Sequence, residues 1–102
     1  YMNAHFCEDL EIAELASQFH MSESAFCRFF KSIMHICVVT YVNNLRIAES
    51  CRLLLSTEEA ISKIASDCGF RNISYFNRVF QERMHQTPGQ FRSLSAENRT
   101  AI

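Results

Sequence analysis

The chain is a tandem duplication, and this constrains its fold more than any other feature. Ile12, Ala16 and Ser17 recur 49 residues later as Ile61, Ala65 and Ser66. After one inserted residue the offset becomes 50, and Ser24, Phe26, Arg28, Phe30, Met34 and His35 recur as Ser74, Phe76, Arg78, Phe80, Met84 and His85. Two copies do not make a solenoid, because a stacked array needs at least about three to bury a continuous face. The pattern describes a duplicated unit of about 25 residues, with a segment that must span between the copies.

Each copy reads as two short helices around a tight turn. In the first, Ile12, Leu15, Ala16 and Phe19 follow the i, i+3, i+4, i+7 spacing of a helix buried on one face. A turn at His20-Met21 precedes Ser22, which can cap a second helix whose buried face is Phe26, Phe29, Phe30 and Ile33. In the second copy Ile61, Ile64, Ala65 and Cys68 form the first stripe, Gly69 the turn and Asn72 the cap. Phe76, Val79 and Phe80 form the stripe that follows. Gly69 suits a left-handed backbone, and His20 holds the equivalent place, so positive φ is expected at both.

The connecting stretch from Val38 to Leu55 has neither Gly nor Pro, and Val38, Tyr41, Val42, Leu45 and Ala48 fit one helical stripe. A helix of about 17 residues there would be roughly 25 Å long. Ser56-Thr57-Glu58-Glu59 offers a capping box for the next helix. Thr87-Pro88 reads as N-cap and first residue of a short helix that buries Phe91 and Leu94. An opening helix around Tyr1–Cys7 is compatible with the pattern. The expected architecture is all-α and one domain: a first helix-turn-helix subdomain over 1–36, a linker helix over 37–55, a second subdomain over 56–95 and a tail over 96–102.

Composition agrees. A chain of 102 residues suffices for one core, and two Gly with one Pro argue against a sheet sandwich. Five cysteines at 7, 27, 37, 51 and 68, with no CxxC spacing, are expected as free thiols in a reducing cytoplasm. The pair His35 and Cys37 is a poor metal site, and no cofactor is expected. No run approaches the roughly 18 apolar residues of a membrane span, and no export signal is visible. Because the chain opens on Tyr1, it is expected to be a fragment of a longer protein.

Net charge is −1, yet all ten Lys and Arg lie from Arg28 onward. Residues 1–27 carry Glu8, Asp9, Glu11, Glu14 and Glu23 and no basic residue. Local patches govern affinity for a polyanion more than the total does. With the apolar stripes turned inward, Ser24, Cys27, Arg28 and Lys31 are left outside on the first unit. Ser74, Asn77, Arg78 and Gln81 are left at the same spacing on the second.

Such faces suit the edges of DNA bases. Arg can place two donors on guanine O6 and N7, and Asn can pair with adenine N6 and N7. Small Ser and Cys allow close approach, and Ile73 can touch a thymine methyl group. Lys31, Arg71 and Arg83 suit phosphates, which set register without reading sequence. Base stacking of single strands on the Phe series is set aside, because the spacing of Phe26, Phe29, Phe30, Phe76 and Phe80 places them in the core.

The motifs Ile64-Ala65-Ser66-Asp67-Cys68-Gly69-Phe70, Ser74-Tyr75-Phe76-Asn77-Arg78-Val79-Phe80 and Thr87-Pro88-Gly89-Gln90-Phe91-Arg92 occur in order. With Leu15-Ala16, Met21-Ser22, Arg28, Phe30-Lys31, Tyr41, Arg46 and Leu53-Leu54, they resemble the DNA-binding domain of the AraC family of bacterial transcription regulators, from about Leu10 to Leu94. The resemblance implies a seven-helix bundle in which a long helix holds two recognition helices for successive major grooves on one DNA face. Carried over by position, it implies base reading by Ser24, Cys27, Arg28, Ile73, Ser74, Asn77 and Arg78. Phosphate contacts fall to Lys31, Arg71, Arg83 and Thr87. It further implies a separate sensing or dimerisation domain, so that the isolated domain is monomeric and the whole protein dimeric.

The chain departs from the family pattern at His35 and His85, where Gly is usual, and at Ser50, where Ala is common. Small Ser24 and Cys27 replace larger readers, so the first unit is expected to discriminate bases less than the second. The implied partner is double-stranded DNA, with RNA polymerase as a second partner for acidic residues 8–14, in the bacterial cytoplasm at the nucleoid. Enzymatic activity is not expected, since no nucleophile–base pair, phosphate-cradling Gly loop or metal spacing occurs. The rival reading is a helical protein-docking module, whose affinity would respond weakly to salt.

Overall fold

The computed structural model describes residues 12–100, with side chains over 14–95. These form six helices and no strand: α1 (Ile12–Gln18), α2 (Glu23–Met34), α3 (Val38–Ser56), α4 (Ile61–Asp67), α5 (Ile73–Met84) and α6 (Pro88–Thr100). The opening helix expected around Tyr1–Cys7 lies outside the described residues. Among the described residues, no single helix is long and apolar enough to cross a membrane.

The duplication is longer than the sequence pattern indicates. Helices α1 and α4 have seven residues each, and α2 and α5 twelve. The third helices begin at Val38 and Pro88, keeping the offset of 50 residues. Their contacts repeat as well. Tyr41 meets Phe30 edge-on at 5.4 Å, and Phe91 meets Phe80 edge-on at 5.7 Å. Different residue types at these paired positions hide the third helix from a search for identities.

The turns also repeat. His20 (φ 57°) and Gly69 (φ 97°) are both left-handed, as expected. In each unit the next residue's N–H reaches back into the helix, Met21 to Ala16 O at 2.9 Å and Phe70 to Ala65 O at 3.0 Å. With His20 N–H on Ser17 O and Gly69 N–H on Ser66 O, each turn is a Schellman motif. Helices α2 and α5 end differently, on His35 (φ 60°) and His85 (φ 59°), each bonding one carbonyl, Lys31 O or Gln81 O. A Cβ is disfavoured in that backbone conformation. His85→Gly is therefore expected to stabilise the domain by about 0.5–1 kcal/mol, after the greater unfolded-state freedom of Gly is counted. Thermal denaturation should show a rise of roughly 2–8 °C.

Helix starts follow the sequence closely, with one exception. Ser22 Oγ accepts from Ala25 N–H at 3.2 Å and Asn72 Oδ1 from Tyr75 N–H at 2.8 Å. Thr87 and Gln90 form a reciprocal box: Gln90 N–H donates to Thr87 Oγ1 at 3.1 Å, and Thr87 N–H to Gln90 Oε1 at 3.0 Å. The capping box expected at Ser56–Glu59 does not form. Thr57 instead closes α3, its hydroxyl and N–H both donating to Leu53 O, and α4 starts later after Ala60. Ser56 is still helical as the last residue of α3, so it cannot take the extended backbone that an N-cap needs.

The single stripe expected on the linker helix is also corrected. Its buried residues are Val38, Val42, Asn43, Ile47, Ser50 and Leu54, whereas Ala48 is exposed and Leu45 half-buried. At about 100° per residue, Val38 and Val42 lie within about 40° of each other, while Ile47, Ser50 and Leu54 lie about 120–180° from Val38. The first group packs with Leu15, Ala16, Phe26 and Phe30. Ile47 and Leu54 belong to the second core, with Ile64, Phe76, Val79 and Phe80. The helix thus carries two cores on opposite faces, and no single apolar side exists. Ser50, fully buried, donates its hydroxyl to Ile47 O at 2.7 Å, which explains how Ser is accommodated there.

Four further residues expected in the core are exposed: Phe19 (56%), Phe29 (46%), Ile33 (57%) and Leu94 (51%). Phe19, Phe29 and Ile33 instead line an open apolar groove with Phe26, Phe30 and Met34. The second unit shows why. Its equivalents of Phe19 and Phe29 are Cys68 and Val79, which are covered within the cluster containing Ile47 and Leu54 of α3. Among the described residues, the first unit packs on α3 through Leu15, Ala16, Phe26 and Phe30.

Candidate nucleic-acid interface

The two recognition-helix candidates are α2 and α5. Each starts from a side-chain cap and ends on a left-handed His, so the same twelve-residue span is set locally in both units. Burial of Phe26 and Phe30 in one, and of Phe76, Val79 and Phe80 in the other, turns the opposite face outward. On α2 this exposes Ser24, Arg28 and Lys31, with Cys27 half-buried against the first core. On α5 it exposes Ile73, Ser74, Asn77, Arg78 and Gln81. Ile73 stands 39% exposed at the start of α5.

The remaining residues expected to contact phosphate divide into two groups. Lys31 and Arg71 are exposed. Arg83 is half-buried, its Nε donating to Asn44 Oδ1 at 2.6 Å, with Glu82 3.8 Å from its Nη1. Thr87 is exposed, but its Oγ1 already caps α6.

Several features strengthen the second unit. The Arg78 guanidinium lies over the Tyr75 ring, 5.2 Å from its centroid, which reduces the freedom Arg78 must lose on binding. Tyr75 in turn packs on Phe70 and accepts from Asn43 Nδ2 at 2.8 Å. The first turn of α5 carries no acidic residue, while α2 opens on Glu23. The positive end of the helix dipole is therefore less neutralised at α5, which favours an anionic backbone there. Asn43 and Asn44 were not legible as site residues; their only signal is an adjacent amide pair within an otherwise half-apolar helix.

Two other basic residues are paired away from the recognition helices. A hydrogen bond from Arg52 holds the Glu49 carboxyl below its ordinary range. Lys63, 2.9 Å from Asp67 and 3.5 Å from Glu59, is pushed up by the hydrogen bond to Asp67 first and by both charges. None of the four described cysteines forms a disulfide; Cys7 lies outside the described residues. Burial pushes the Cys51 thiol up. Among the described residues, no group of His, Cys, Asp and Glu is arranged to hold a metal ion.

A family model described as a helix-turn-helix domain matches residues 15–93, which hold most of both units and all of the linker. The chain belongs to the AraC-type helix-turn-helix family. Among relatives of this AraC-type domain, the bifunctional transcriptional activator/DNA repair enzyme AdaA of Bacillus subtilis is 34% identical over 100 residues, covering 98% of this chain and 47% of AdaA. The chain spans less than half the length of the curated relatives it matches. The C-terminal domain of AraT, a response regulator from Geobacillus stearothermophilus, superposes with a TM-score of 0.85 at 29% identity, covering 92% of this chain and 78% of that one. The DNA-binding domain of AdpA, solved in complex with a target DNA, shares the fold at a TM-score of 0.88 and 23% identity, covering 96% and 88%.

Proposed function

We propose that this AraC-type domain binds double-stranded DNA sequence-specifically, with α2 and α5 entering successive major grooves, and thereby regulates bacterial transcription. The observation that carries the reading is the duplication itself. Two helices of equal length, capped alike, present Arg28 and Arg78 at matching places among small or amide side chains. The principal extent of 52 Å leaves room for two recognition helices one DNA turn apart, about 34–36 Å. AdpA's domain, of the same fold, was solved on DNA.

In this reading Ser24, Cys27 and Arg28, with Ile73, Ser74, Asn77 and Arg78, face base edges. Lys31 and Arg71 meet phosphates, and Arg83 and Thr87 do so with whatever donor capacity their internal bonds leave. The second unit contributes more of the discrimination, because Arg78 is held over Tyr75 and α5 carries no acid in its first turn. The isolated domain acts as a monomer in the cytoplasm, at the nucleoid when bound. Oligomerisation belongs to a further domain, and contact with RNA polymerase to acidic residues 8–14.

Arg78→Ala is expected to weaken specific binding by about 1–3 kcal/mol and relax preference at one base pair. Lys31→Ala should weaken binding on every sequence about equally and lower the salt slope by roughly one. Binding titrations of both variants against a panel of single-base-pair substitutions separate the two roles. An Arg78 variant weakened equally on all duplexes would move Arg78 to the phosphate group.

The reading as a whole is tested by selecting bound duplexes from a randomised pool at low and moderate salt. Two enriched motifs about one helical turn apart support it. Failure to enrich any motif, with affinity indifferent to salt, would leave protein docking as the better account.

A further inference from the structure

The second recognition helix is fastened to the linker at both of its ends. In its first turn, Tyr75 Oη accepts from Asn43 Nδ2 at 2.8 Å. In its last turn, Arg83 Nε donates to Asn44 Oδ1 at 2.6 Å. Asn43 is only 6% exposed, so its amide has left water and would be costly to leave unbonded. Tyr75 and Arg83 lie about 12 Å apart along the axis of α5. One bond is a pivot about which a helix can swing. Two bonds from opposite ends of the helix, both received at the adjacent linker residues Asn43 and Asn44, restrain the direction of its axis.

The place of attachment matters as much as the number. Asn43 and Asn44 follow directly on Val42, a member of the first core. Helix α2 is held to that same end of the linker by Val38, Val42 and the contact of Phe30 with Tyr41. The second core meets α3 mainly further along, at Ile47 and Leu54. The two amides therefore tie α5 to the stretch of linker that carries α2.

Resting on the two-groove reading above, we propose that Asn43, Asn44, Tyr75 and Arg83 form a clamp that sets the distance and phase between the two recognition helices. The clamp makes the domain select the spacing of its two half-sites. All four are positioning residues. Inserting one base pair between half-sites displaces the second by roughly 3.4 Å and rotates it by about 35°, and a rigid clamp resists both. Through Tyr75, whose ring lies under Arg78, the same clamp also orients a base-reading side chain.

The test uses the whole chain and the duplex enriched in the selection, together with versions carrying one base pair more or fewer between the motifs. Tyr75→Phe removes one bond and keeps the ring; Asn44→Ala removes the other at an exposed site. The unaltered domain should lose affinity about 30–100-fold when the spacing changes, since the second contact is then forfeited. In the double variant, affinity at native spacing should fall about 3–10-fold and the spacing penalty should shrink below about 10-fold. Asn44→Ala alone should move the penalty in the same direction by less. Equal weakening at every spacing would reduce the clamp to a fold-stabilising contact and overturn the proposal, as would a penalty left intact. An unaltered domain indifferent to spacing would overturn the two-groove reading and the clamp's role with it.

Discussion

Phe80→Ala is expected to destabilise the domain by about 3–5 kcal/mol, the range for removing a buried aromatic ring. Phe80 is fully buried and bridges two elements, with Phe76 at 5.6 Å within α5 and Phe91 at 5.7 Å on α6. The cavity left behind lies where α5, α6 and the linker meet, and helices of fixed length cannot collapse to fill it. For a domain whose total stability is of order 5–15 kcal/mol, this removes between about a fifth and all of the folded state's margin. Phe29→Ala, by contrast, should have an effect below about 1 kcal/mol, because the ring is nearly half exposed. Chemical denaturation of the two variants side by side makes the comparison. A loss at Phe29 matching that at Phe80 would mean that the groove of the first unit is covered in solution.

The second large effect is expected at Arg92. Its guanidinium donates to three backbone carbonyls, Leu54 O at 3.1 Å, Glu59 O at 2.9 Å and Thr57 O at 3.2 Å. These belong to the end of α3 and the loop before α4, where carbonyls lack helical partners and the helix dipole is negative. One side chain on α6 thus pins the junction between linker and second unit. Arg92→Ala should lower stability by about 2–4 kcal/mol, since charge-assisted hydrogen bonds contribute more than neutral ones and the carbonyls lose their donor. Arg92→Lys should recover less than half of this, because one ammonium cannot match a planar fork directed at three acceptors. Thermal denaturation measures both, and an alanine variant within about 0.5 kcal/mol of the parent would show that water replaces the bonds without loss.

These two residues differ in how visible they are from sequence alone. Phe80 stands in a repeated stripe with Phe76 and Val79, and its burial follows from helical spacing. Arg92 reads as one more surface cation until the fold brings α6 against the end of α3. The same division runs through the site. Arg28 and Arg78 could be placed on outward faces by spacing and duplication, whereas the partners of Tyr75 and Arg83 lie 32 and 39 residues away and carry no local signature.

What the sequence determined by itself is what depends on neighbours within about four residues. The caps at Ser22, Asn72 and Thr87, the left-handed turns at His20 and Gly69, and the equal lengths of α2 and α5 all arise from local hydrogen bonding and backbone sterics. Which apolar residue finds a cover depends instead on contacts between distant elements. Periodicity marks Phe19, Phe29 and Ile33 as candidates for burial just as it marks Phe76 and Val79, but burial also requires an opposing surface. Helix α3 offers one face to each unit, and those faces point in different directions. That geometry hid the linker's buried residues from a one-stripe reading, and it left Asn43 and Asn44 beside the helix they hold.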